Sequence, residues 1–152
     1  MNRFSVQHHY AAMRPLIDLG QAIRSAGRLE SALIELVLMR VSQINGCAFC
    51  LDMHSKDARA AGETEQRLYV LPAWRETKLY SERERIALAW AEELTRLDSP
   101  EAVSDALYEQ ARQVFEEAEL VDLTLLVVAI NGWNRVNVAA RSIGGYYKPA
   151  AH

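Results

Sequence analysis

Cys47 and Cys50 are the only two cysteines in this 152-residue chain. They lie three residues apart, with His54 four residues further on and Glu35 twelve residues before Cys47. On a helix turning about 100° per residue, Cys47, Cys50 and His54 fall within roughly 60° of one another. Positions i and i+3 also sit on the order of 5–6 Å apart, a separation that a disulfide can close. One helix face can therefore carry a reversible dithiol with an imidazole near enough to move its protons. That is redox chemistry.

Asn45-Gly46, just before Cys47, is a helix stop, so Cys47 opens the next helix. A cysteine there meets unpaired backbone N–H groups and the positive end of the helix dipole, which favour thiolate. On that argument Cys47 is the more acidic thiol. Glu35 lies about three turns before the end of the preceding helix. If the two helices fold back antiparallel, Glu35 returns beside the third helix and completes a relay. The carboxylate orients the imidazole, and the imidazole, or a water, deprotonates the sulfur. Its neighbours Leu33, Ile34, Leu36, Val37 and Leu38 leave Glu35 little room for an exposed position.

The elements that hold these residues read as helices nearly throughout. A first amphipathic helix, with Leu16, Leu19, Ala22 and Ile23, ends near Gly27. A second runs from Leu29 to Ile44, and the third runs from Cys47 to about Ala61. Thr64 starts a short helix broken by Pro72. Ser81 to Glu84 is a capping box for a helix with Ile86, Ala87, Trp90, Ala91 and Leu94 on its buried side. Ser99-Pro100 has the form of an N-cap and first-turn proline, and 105–115 reads as a further helix. The last helix, 119–142, is expected to end at Gly144-Gly145. No alternating strand pattern occurs, so the fold class is all-α, in a single domain over 1–152. The last helix is apolar around most of its circumference, which predicts burial on all sides, in the chain's interior or in a homo-oligomer.

Composition narrows the partners. The net charge of −3, with no basic block, argues against nucleic acid. The longest apolar run, Leu123 to Ile130, contains Thr124 and is far short of the ~20 residues that span a bilayer. The first fifteen residues lack the apolar run of a signal peptide. The expectation is a cytoplasmic protein without a membrane partner, where a C-x-x-C pair is more often catalytic or metal-binding than structural. Zinc is one alternative, with Cys47, Cys50 and His54 as ligands and a fourth from Glu35, His8 or His9. A helical core of this kind does not require a structural zinc. Buried, inert cysteines are another alternative, because free cysteine packs readily. A thioredoxin-like reading fails for want of βαβ units.

Glu35, eleven residues, Cys47-x-x-Cys50, three residues and His54 together resemble the signature of the alkylhydroperoxidase AhpD-like proteins, within the carboxymuconolactone decarboxylase superfamily. Arg40 to His54 is similar to that group's core motif in nearly every position, and the likeness extends over about 29–142. The resemblance implies an AhpD-like helical bundle assembled as trimers or hexamers. It implies that Cys47 and Cys50 cycle between dithiol and disulfide while reducing a hydroperoxide, with Glu35 and His54 as proton relay. Electrons would come from a dithiol partner such as a lipoylated protein, with no metal, flavin or other cofactor. It places Cys50 as the accessible, peroxide-reactive sulfur and Cys47 as its resolving partner, the reverse of the helix-dipole argument. Those relatives carry a second histidine just before the second cysteine, where this chain has Phe49. The decarboxylase branch lacks the cysteine pair, so lactone decarboxylation is not expected. A redox sensor or thiol carrier would use the same pair without multiple turnover.

Overall fold

The computed structural model describes residues 2–149. They form seven α-helices and one 3-10 segment: α1 (Tyr10–Ala26), α2 (Ser31–Asn45), α3 (Ala48–Ala60), α4 (Glu65–Val70), the 3-10 turn Leu71–Glu76, α5 (Glu82–Arg96), α6 (Asp105–Val114) and α7 (Glu117–Ala140). The described residues contain no strand, so the fold is all-α.

α2 is the axis of the molecule. Leu33 through Met39 are all buried, Glu35 among them. Ile34, Val37 and Val41 pack into a core shared with α1, α5, α6 and α7. Leu36 and Met39 face a second core built from α3, α4, the 3-10 turn and α5. A helix apolar on both sides must be covered on both sides, and that requirement puts a carboxylate at position 35 deep inside the bundle. Gly46 ends α2 in the left-handed region (φ 65°), where a β-carbon would be strained. The chain then turns at once into α3.

The capping box at Ser81 and Glu84 starts α5 as the sequence predicts, and Glu116 with Glu119 forms another at α7. Two boundaries differ from expectation. Ser99-Pro100 caps no helix. The Ser99 Oγ accepts the Glu101 N–H at 3.1 Å in a tight turn, and Val103 at φ 60° redirects the chain. α6 begins at Asp105, as the sequence predicts, with Ser104 Oγ accepting the Leu107 N–H. The last helix also stops before its glycines. Arg141 takes the left-handed conformation (φ 54°), and the Ser142 N–H bonds back to the Asn137 carbonyl at 2.9 Å. Gly144 serves a different need: a β-carbon there would lie 2.7 Å from the Ala48 carbonyl oxygen. The tail after α7 thus lies directly on the first turn of α3.

α7 is not buried on all sides of the single chain. Val121, Leu125 and Val128, one helical face at i, i+4 and i+7, are exposed.

Glu92 is 1% exposed and accepts hydrogen bonds from Arg40 Nε (2.6 Å), Trp74 Nε1 (2.9 Å) and Arg75 Nη1 (2.6 Å). Burial alone would push this carboxyl up, but the Trp74, Arg75 and Arg40 bonds together hold it below its ordinary range. Glu92→Gln strips the charge and leaves Arg40, itself largely buried, without its counter-ion. We expect a loss of about 3 kcal/mol, or roughly 6–12 °C in melting temperature by thermal circular dichroism. The same argument sets an acid limit. A carboxyl whose folded value lies below its unfolded value of about 4.3 contributes in full above that pH. Its contribution disappears as pH falls through the folded value.

Candidate active site

Cys47 is the N-cap of α3, and Cys50 lies in that helix's first turn. Their Cα atoms are 5.3 Å apart and their sulfurs are joined in a disulfide. The Cys50 N–H donates to Cys47 Sγ at 3.3 Å, so the first cysteine caps its own helix. Both residues are 1% exposed. They are not equivalent, however: Cys50 lines a cavity of about 850 Å³ and Cys47 does not.

The structure brings Glu35 and His54 together. His54 Nδ1 lies 3.1 Å from Glu35 Oε2, across the α2–α3 turn. A carboxylate is an acceptor, so Nδ1 carries the proton and Nε2 is the free, basic nitrogen. His54 lines the same cavity as Cys50. The other Glu35 oxygen, Oε1, accepts from Arg24 Nη2 at 2.5 Å. Burial acts to raise the Glu35 carboxyl, but the His54 hydrogen bond and the His54 and Arg24 charges outweigh it and hold it below the usual range. Glu35 is thereby an ionised carboxylate inside the bundle, pinned from both sides.

Two parts of the site lay outside the sequence reading. Arg24 sits on α1, eleven residues before Glu35, and no spacing rule links the two. Asn137 on α7 places Nδ2 3.9 Å from Cys50 Sγ. A signal for the latter existed in the asparagines at 131, 134 and 137, which recur every third residue of an apolar helix.

The cavity itself is mainly apolar, with Phe49, Met53, Leu126, Ile130 and Trp133 in its walls. Phe49, which stands where the AhpD-like relatives have a second histidine, gives it an aromatic face. The tail closes one side with Ile143 and Tyr146. It is tied to α3 at Tyr147, whose N–H donates to Asp52 Oδ2 (3.1 Å) and whose hydroxyl donates to Asp57 Oδ1 (2.9 Å). Lys56 Nζ donates to the Tyr147 carbonyl at 2.9 Å. Burial first, then the Asp57 hydrogen bond and charge, pushes the Tyr147 phenol up to about 12.

The zinc arrangement does not form. His8 and His9 are exposed, the two sulfurs are bonded to each other, and His54 Nδ1 is turned to Glu35. Among the described residues no group of three or more His, Cys, Asp or Glu side chains is placed to hold a metal ion.

Comparison with known proteins places the chain in a family. The profile of the Carboxymuconolactone decarboxylase family matches residues 10–93. The chain belongs to that family. Within it, the chain is 50% identical over 105 residues to the uncharacterized protein YdfG of Bacillus subtilis, covering 69% of this chain and 71% of that one. It is 31% identical over 121 residues to the uncharacterized protein YnjA of Escherichia coli, covering 80% of this chain and 65% of that one. A solved structure from Agrobacterium tumefaciens, described as a protein of unknown function and a candidate antioxidant defence protein AhpD, superposes with a TM-score of 0.89 at 36% identity. That superposition covers 97% of this chain and all of that one. The carboxymuconolactone decarboxylase family match stops at residue 93, so α6, α7 and the tail, with Asn137, lie beyond it. Within the family this chain is AhpD-like. No helix of the described residues is long and apolar enough to cross a membrane.

Proposed function

We propose that this protein is an antioxidant dithiol peroxidase that reduces organic hydroperoxides through the Cys47/Cys50 pair. The observation that carries the reading is that one cysteine of the pair, Cys50, lines an apolar cavity together with a histidine braced by a buried carboxylate. In the reduced enzyme, His54 Nε2 takes the Cys50 proton, and the thiolate attacks the distal peroxide oxygen. The O–O bond breaks, the alkoxide takes the proton from His54 and leaves as the alcohol, and Cys50 becomes a sulfenic acid. The Cys47 sulfur then displaces hydroxide, which leaves as water, and the disulfide forms. An external dithiol such as a lipoylated protein reduces it, being oxidised to its own disulfide. The position of Cys47 as N-cap suits it to resolve: stabilised as thiolate, it both attacks and later leaves readily.

The exposed Val121, Leu125 and Val128 face supports a homo-oligomer that covers it. We take this assembly to be a trimer or hexamer in the cytoplasm. Light scattering on Val128→Glu should then report a smaller particle than wild type. The activity is tested by steady-state consumption of cumene hydroperoxide with dihydrolipoamide as reductant. Turnover linear in enzyme is expected. Consumption that stops at one equivalent would make the protein a sensor or thiol carrier instead.

A further inference from the structure

In the C-terminal half of α7 an asparagine recurs every third residue, at 131, 134 and 137, and all three contact the α2–α3 segment that carries the cysteines. Asn131 Oδ1 and Asn134 Oδ1 both accept from Asn45 Nδ2, at 3.0 and 2.9 Å. Asn134 Nδ2 donates to Ser42 Oγ at 3.1 Å. Ser42 in turn holds the turn from within, its carbonyl accepting the Cys47 N–H at 3.1 Å. These two asparagines fix the end of α2. The third, Asn137, continues the row past the turn and reaches the reacting atom itself, with Nδ2 3.9 Å from Cys50 Sγ.

We propose that the side-chain amide of Asn137 is a catalytic hydrogen-bond donor to the sulfur of Cys50, stabilising it as the attacking thiolate. The orientation of the amide is set by the protein. Asn137 Nδ2 also donates to the Trp133 carbonyl at 3.0 Å. A carbonyl only accepts, so the NH₂ end, and not the oxygen, must be the end turned toward the sulfur. The 3.9 Å contact is long because a disulfide sulfur is a weak acceptor. A thiolate at the same place is a strong one, and charge-assisted hydrogen bonds are shorter and roughly twice as strong. Asn137 is 6% exposed and lines the cavity. Its donor therefore acts where water competes little.

The placement is selective. Cys47 Sγ already accepts the backbone N–H of Cys50, whereas Cys50 Sγ has the Asn137 amide. Each thiolate thus has a donor of its own. Only the one served by Asn137 lies on the cavity wall. The titratable groups around that cavity are His54, with Glu35 behind it, Arg24 and Tyr10 of α1, and Tyr146, Tyr147 and Lys148 of the tail. None of them is altered by a change at Asn137, so a shift in the Cys50 titration on substitution isolates the amide.

This inference rests on Cys50 as the nucleophile of the proposed peroxidase, but its test needs no peroxide. In a Cys47→Ser background, the pH dependence of alkylation by iodoacetamide and the ultraviolet thiolate absorbance both report the Cys50 thiol alone. Asn137→Leu and Asn137→Asp each remove the donor. Both are expected to raise the Cys50 midpoint by about one pH unit or more, and to slow alkylation at neutral pH about tenfold. Asn134→Ala breaks the Ser42 and Asn45 bonds and leaves Asn137 in place. It is expected to lower the melting temperature with the Cys50 midpoint unmoved. The proposal is overturned by a midpoint that stays put in Asn137→Leu, or by one that Asn134→Ala moves as far. A shift in Asn137→Asp alone also overturns it, since that would be the effect of an added charge. A wild-type protein inert to hydroperoxide would instead defeat the peroxidase reading while leaving this titration to be decided on its own.

Discussion

Cys50→Ser is expected to abolish hydroperoxide turnover, reducing it to the background of reductant and peroxide without enzyme. The sulfur that faces the cavity is gone, and Cys47, which does not line that cavity, has no path to the peroxide. Cys47→Ser should also end turnover, but for a different reason. Serine is a good N-cap, and its hydroxyl can accept the Cys50 N–H that Cys47 Sγ accepts now, so α3 keeps its start. Cys50 can still attack, and its sulfenic acid has no thiol to resolve it. One equivalent of hydroperoxide should be consumed, and a dimedone adduct should appear at residue 50 by mass spectrometry. The same adduct at residue 47 in Cys50→Ser, with none in Cys47→Ser, would reverse the assignment and restore the helix-dipole argument.

The second large effect belongs to Glu35. Glu35→Gln keeps the shape of the side chain but removes the charge that holds the proton on His54 Nδ1. The amide can present its NH₂ to the ring, which favours the tautomer with the proton on Nε2, and the base facing the chemistry is lost. Disulfide formation with hydroperoxide should slow by about 10²–10⁴-fold, the usual range for losing a positioned acid–base group. Circular dichroism should show the helices intact. Arg24→Gln should fall between this variant and wild type, because it removes the guanidinium that helps keep Glu35 ionised and leaves the His54 hydrogen bond in place. Since Arg24 is half exposed, its contribution is screened. Wild-type rates in Glu35→Gln would remove the carboxylate from the mechanism.

The part of the site that the sequence made legible is the part connected by a short turn. α2, Gly46 and α3 are consecutive, so a helix stop at Asn45-Gly46, a helical period on each side and an antiparallel return are enough to bring Glu35 and His54 together. The cysteine pair needs only one helical turn. Arg24 and Asn137 come from α1 and α7, and their meeting with Glu35 and Cys50 depends on how helices far apart in the chain cross. Hydrophobic periodicity says which face is buried without saying what stands opposite. The misplaced boundaries have the same origin. Ser99-Pro100 and Gly144-Gly145 are sound local signals, but Ser104 caps α6 and Gly144 is spent on the close approach to Ala48. The exposed stripe of α7 shows the converse: a pattern apolar all round predicts burial without saying by what, and the single chain leaves one face uncovered.

The most direct test of the account is a stopped-flow titration of the reduced wild-type protein with one equivalent of cumene hydroperoxide, counting free thiols as the reaction proceeds. The account predicts that both thiols vanish together in a rapid phase, and that dihydrolipoamide restores them for repeated cycles. Two thiols that survive the peroxide unchanged would contradict it and leave Cys47 and Cys50 as a structural pair.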